Sequence, residues 1–160
     1  AFPQEDKMTE THRINSQLKR AYQGEAWHGP SVKELLDGVT AEQAAAKPVP
    51  DAHSIWELVN HIIAWEQIVR RRLEGETIID IADEMNFPAA DGTEAAWQAA
   101  LRSLESTNQA LRESVKKIDD AKLEEIVPGM GYTNYFMLHG AIQHDLYHAG
   151  QIALLKKLVG

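Results

Sequence analysis

The 160-residue sequence predicts an all-α protein, a four-helix bundle with one long connection crossing between its second and third helices. Three observations carry that expectation. Four segments of several turns each place apolar side chains at helical spacing, no segment sustains the apolar–polar alternation of a strand, and Gly and Pro punctuate the stretches between them.

The first helix is expected over residues 8–23, where Ile14, Leu18 and Tyr22 form a narrow stripe on an otherwise polar segment. The run GEAWHGPS then breaks the pattern. Ser31 and Glu34 have the spacing of a reciprocal helix cap, so SVKELLDGV should form a short helical piece ending near Gly38. AEQAAAK adds a turn that Pro48 and Pro50 stop, leaving Asp51 or Ser54 to cap the second long helix. That helix, SIWELVNHIIAWEQIVRRRLEG, is the clearest in the chain. Leu58, Ile62, Trp65, Ile68 and Val69 give it a broad apolar face, and Gly75 supplies its stop. Arg70, Arg71 and Arg72 fall in its last turns, where the helix dipole favours cations; a solvated helix end is the expected role, with an anion-binding one as the alternative.

ETIIDIADEMNFPAADG has no sustained period and contains Pro88 and Gly92, so it is expected to be the long crossing connection, of a length that is often functional. From Thr93, the residues Ala96, Leu101, Leu104, Leu111, Val115 and Ile118 recur at near-heptad spacing and mark the third helix. DAKLEEIVPGMGY reads as a loop with a short extended piece before Pro128. The fourth helix starts at a Thr133 or Asn134 cap and ends in Lys156 and Lys157.

Residues 8–160 are expected to be one domain, with residues 1–7 an N-terminal extension or cloning remnant. The formal net charge of −8 lacks the basic footprint that nucleic acid or an anionic membrane surface requires. No apolar run is long enough to span a bilayer, so neither nucleic acid nor membrane is an expected partner. The sequence contains no cysteine, which fits a reducing cytoplasm and leaves only nitrogen and oxygen to hold a metal.

His144 and His148 are four apart and so project from one face of the last helix about one turn from each other. With seven histidines in the chain, such a pair arises by chance in roughly one chain in four, so the pair alone decides little. Its surroundings add weight. Ala141, His144, His148, Ile152 and Leu155 follow a buried-seam period, and Leu58, His61, Trp65 and Ile68 do the same on the second helix. Three imidazoles thus point at one core, where each must find a partner. One divalent metal ion satisfies all three, and three protein ligands leave a coordination position open for water or substrate. The competing account is that hydrogen bonds to other side chains satisfy one or two of them.

Glu57, one turn before His61, is the candidate general base, against the commoner alternative of an exposed helix carboxylate. Asp145 is expected to be a solvated charge, since it points about a quarter turn away from the ligand face. His53, at the entrance to the second helix, is expected to be a surface or capping-region residue, and His139, five before His144, lies off the ligand face. Trp27, Trp56, Trp65, Tyr132, Tyr135 and Tyr147 suit either a pocket mouth or the core, and Met130, between two glycines, a loop over the site.

HSIWELVNHIIAWE on the second helix together with HDLYHAGQIALLKK on the last resembles the DinB-like (YfiT-like) superfamily of bacterial metal-binding bundles. WHGPS and GVTAEQAAAKP are similar to that family's first connection. The resemblance covers the chain from about Met8 onward and carries the metal-ligand roles onto His61, His144 and His148. It implies a four-helix bundle, commonly a homodimer, with a nickel, zinc or similar divalent ion on the three histidines. Some members are transferases that use bacillithiol, mycothiol or a related low-molecular-weight thiol; others are isomerases, and many have no known activity. The resemblance thus leads to the expectation of a metal-dependent thiol S-transferase acting on a small-molecule substrate, with a low-molecular-weight thiol as cofactor. The alternatives are a metal-dependent hydrolase using Glu57 and a non-catalytic metal-binding stress-response module.

Overall fold

The computed structural model describes residues 8–90 and 92–160, and the expectation for residues 1–7 lies outside them. Among the described residues the chain is all-helical, as the sequence patterning requires. Four long helices, α1 (Glu10–Gln23), α4 (Ile55–Leu73), α6 (Glu94–Lys116) and α8 (Asn134–Val159), form a ring in which α1 packs on α6, α6 on α4, α4 on α8 and α8 on α1. Four short helices, α2 (Val32–Leu36), α3 (Ala41–Ala45), α5 (Asp83–Asn86) and α7 (Asp120–Leu123), sit on the connections.

Local chemistry starts these helices where the sequence places the starts. Ser31, Thr40 and Ser54 each close a reciprocal capping box, with Glu34, Gln43 and Glu57 as the returning side chains. Thr9, Thr93 and Thr133 cap α1, α6 and α8 through their hydroxyls. Two connections differ from expectation. The stretch after Gly75 is not wholly irregular, because Asp83–Asn86 forms one turn of helix whose acidic residues suit its N-terminal end. The expected loop after residue 118 holds α7 and an isolated bridge between Ile126 and Thr133 instead of a strand. Gly129 is required there: it has φ +76°, and a Cβ would lie 2.8 Å from the Thr77 methyl of the α4–α5 connection.

The core has two apolar halves. One gathers Val32, Leu36, Ile55, Trp56, Val59, Trp97 and Ile152 around α2, α3 and the adjoining ends of α4, α6 and α8. The other gathers Ile14, Leu18, Val69, Leu111, Val127 and Leu138 at the opposite end. Between them lies a layer of buried polar side chains, among them His61 and Glu66 of α4, Asn108 of α6, and Asp145 and His148 of α8. Burying polar groups in mid-bundle is costly unless they are partnered, so this layer is where function is sought.

Candidate metal centre

α4 and α8 run in opposite directions, which brings His61 level with His144 and His148. Nε2 of His144 lies 3.0 Å from Nε2 of His61 and 3.1 Å from Nε2 of His148. The outward nitrogens of two rings are fixed. Nδ1 of His61 lies 2.6 Å from the Asn86 carbonyl oxygen, and Nδ1 of His148 lies 2.6 Å from Oε1 of Gln151. Both partners are acceptors, so each Nδ1 carries the hydrogen and donates.

A neutral imidazole that donates from Nδ1 presents a lone pair at Nε2. Both His61 and His148 therefore turn lone pairs toward Nε2 of His144, which holds at most one hydrogen and can satisfy only one of them. At least one nitrogen pair is left lone pair against lone pair, a repulsive arrangement that a cation between them reverses. The spacing also fits: two nitrogens ~2.0–2.1 Å from a tetrahedral ion stand about 3.3 Å apart. Burial and the neighbouring imidazoles hold His144 down to about 3, and burial lowers His61 and His148 as well, so the rings are neutral and ready to donate lone pairs at pH 7. Among the described residues, these three histidines are the one group of three or more such side chains placed to hold a metal ion.

The surrounding shell is specific. α5 supplies Asn86 twice, its carbonyl to His61 and its side-chain oxygen to Nε1–H of Trp65 at 2.8 Å. Phe87 is stacked between the rings of His61 and His53, 4.0 and 3.7 Å between centroids. Such outward partners orient ligand rings and raise their basicity. Beside His144, a cavity of about 220 Å³ runs between α4 and α8 past Trp65, Val69 and Met137 to Arg72 and Tyr132. Among the described residues, four larger hollows, of about 510, 650, 370 and 510 Å³, contain none of the three histidines.

Other candidates have different places. Glu57 accepts from the Ser54 backbone N–H at 2.7 Å and pairs with Lys47 at 3.0 Å, which gives its carboxylate a capping role. Asp145 is not solvated, a correction to the expectation: it is 1% exposed, because α1, α2 and α7 also pack on α8 and cover more than the ligand seam. Its neighbour Glu66 is 2% exposed and accepts from Asn108 at 2.9 Å. Burial and the nearby Glu66 carboxyl push Asp145 well up, and burial pushes Glu66 up to about 7. The arginine run divides. Arg70 and Arg71 pair at the surface with Glu74 and Glu76, as a solvated helix end would, whereas Arg72 is 4% exposed. Trp56 is core, Trp65 and Tyr132 line the cavity, and Trp27, Tyr135 and Tyr147 are exposed. Met130 packs against the second apolar half and not over the histidines.

Sequence patterning did not identify Asn86, Gln151, Glu66 or the divided fate of the arginines as parts of this region. For Gln151 a signal existed, since it follows His148 by three and so shares its helix face. Asn86 acts mainly through a backbone carbonyl, which any residue type provides.

The fold and the site together define a class, helical bundles with a three-imidazole centre on two facing helices. The sequence profile of the DinB superfamily matches residues 27–152, well over half of the chain, and the protein belongs to that superfamily. No curated protein and no solved structure gives a significant match. Among the described residues, no helix is long and apolar enough to cross a membrane.

Proposed function

We propose that the protein holds one divalent ion, nickel or zinc, on His61, His144 and His148, and that it is a metal-dependent thiol S-transferase acting on a small-molecule substrate. The observation that carries the metal is the meeting of three Nε2 atoms at 3.0 and 3.1 Å while two of the rings donate outward from Nδ1. The chemistry a divalent ion supplies at such a centre is a lowered pKa for a thiol or water and polarisation of an electrophile. The chain's own residues do the rest. Asn86 and Gln151 hold two rings in the ligating tautomer, and Trp65, Val69 and Met137 wall an adjoining cavity from which apolar surface excludes water. The sequence has no cysteine, so the sulfur of this chemistry comes from a low-molecular-weight thiol. The same absence supports a cytoplasmic setting.

In the transfer, a sulfur–carbon bond forms as the leaving group departs from the electrophilic carbon, and the thiol proton passes to solvent. The test is turnover of an alkyl halide panel by zinc- or nickel-loaded protein with and without added thiol. Thiol-dependent turnover lost on chelation supports the proposal. Turnover of esters in thiol-free buffer that disappears in Glu57→Gln favours the hydrolase, and tight metal binding with no turnover favours the binding module. The capping role of Glu57 speaks for transfer over hydrolysis.

The proposal includes a homodimer, supported by an apolar row on the outer face of α8. Phe136, Tyr147, Leu154 and Leu158 recur at multiples of the helical repeat and are 65, 67, 62 and 52% exposed. Sedimentation should give a dimer for the wild type and a monomer for Leu154→Glu; a monomeric wild type removes this part.

A further inference from the structure

Arg72 is a buried cation with no carboxylate partner. Its Nε and Nη2 donate to the Ile78 carbonyl at 2.9 and 2.6 Å, and its Nη1 donates to the Tyr132 hydroxyl at 3.0 Å. Among the described residues no Asp or Glu forms an ion pair with it. Of the five N–H groups of a guanidinium, these contacts take three and leave two without an acceptor among the described residues. The guanidinium carbon lies 5.8 Å from the centroid of the Trp65 ring, a cation–π contact that offsets part of the desolvation cost but supplies no counter-charge.

Position gives the unpaired charge a direction. Arg72 follows Trp65 by seven residues on α4, and Met137 precedes His144 by seven on α8, and all four line the same cavity. At 1.5 Å per residue the cavity extends about 10 Å along the helices, from the level of Trp65 and His144 to that of Arg72 and Met137. A volume of about 220 Å³ holds roughly seven water-sized groups at ~30 Å³ each. The walls between the two ends are largely apolar, through Val69, Phe136 and Met137.

Glu66 and Asp145 also border this space, and the geometry argues against their recruiting a cation from it. Oε2 of Glu66 and both carboxylate oxygens of Asp145 are sealed from any surface, so a ligand in the cavity does not meet them without rearrangement. Oε1 of Glu66 already accepts from Asn108.

We infer that the cavity binds a short linear molecule with a carboxylate or similar single negative charge at its far end, paired by Arg72 and steadied by Tyr132, while its near end reaches the histidine centre. This names the substrate class of the site proposed above and rests on that proposal for the near end alone. The pairing is of the forked kind that arginine makes with carboxylates.

The test is calorimetry on zinc-loaded protein with three probes of one length: 4-mercaptobutyrate, its neutral amide, and 4-mercaptobutylamine. The mercaptobutyrate should bind at least tenfold more tightly than the amide. Arg72→Gln should abolish that preference while leaving the amide affinity and the bound zinc unchanged, and Arg72→Lys should restore part of it. Should Arg72→Gln fold poorly, Tyr132→Phe should reduce the preference several-fold. Equal binding of acid and amide, a preference unmoved by Arg72→Gln, or tightest binding by the amine overturns the inference. If wild-type protein takes up no metal, the proposed function fails separately. Hexanoate added to metal-free protein then decides: it should shift the Trp65 indole N–H resonance in the wild type and not in Arg72→Gln, and no shift in the wild type overturns the inference.

Discussion

The imidazole nitrogens are placed by the side chains and carbonyls that bond to them, and beside them lies a polar layer joined to the site by packing. Glu66 is the titratable member of that layer with the clearest consequence. Its pKa is raised from 4.5 to about 7 by burial, so the folded state prefers the protonated form. That preference stabilises the fold fully below pH 4.5 and is lost as pH rises through 7. The loss is on the order of 3 kcal/mol for a shift of this size. Glu66→Gln keeps an oxygen for Asn108 and removes the charge. It should therefore match the wild type near pH 5 and exceed it above pH 7 in urea midpoints of the metal-free protein. The depressed histidines act oppositely below pH 6.5, but equally in both proteins. Equal pH profiles for the two would refute the assignment. At this scale the three histidines were legible in the sequence because seam periodicity exposes a polar residue in an apolar row. Asp145 and Arg72 were not, since periodicity identifies the principal buried face, and α8 and the end of α4 are covered from further directions by α1, α2, α7 and the connection through Ile78.

Among the elements, the four long helices were legible because each combines a sustained period with a hydroxyl cap, and their expected limits fall within about two residues of those observed. α5 and α7 were not, because one turn of helix has no period to detect. Yet α5 is the element that turns Asn86 toward His61, so the connection matters to the site through a feature composition does not encode. The start of α4 depends on its cap. Ser54 is 1% exposed and its hydroxyl accepts from the Glu57 N–H at 3.1 Å. Ser54→Ala should cost about 1 kcal/mol, a fall of roughly 2–4 °C in melting temperature. Glu57→Gln, which retains an oxygen for the Ser54 N–H, should leave thiol-dependent turnover intact. An unchanged melting temperature in Ser54→Ala would show that the buried cap is not holding the helix start.

Across the whole molecule, the bundle consists of two apolar halves joined through a layer that brings α4, α6 and α8 together with polar groups. An apolar layer at that level would serve stability better, since burying an unpaired polar atom such as Oδ1 of Asn108 carries a cost. The cost is intelligible if the layer supports a bound ion that links α4 to α8. Binding that discriminates between folded and unfolded chains adds to stability by mass action. The central claim is then best tested by metal content, measured by mass spectrometry on untagged wild-type protein beside His148→Ala. About one nickel or zinc ion per chain in the wild type and almost none in the variant is the predicted result. A wild type that is empty as purified and takes up neither added nickel nor added zinc would contradict it, and would leave three imidazoles gathered in the core for a reason other than metal.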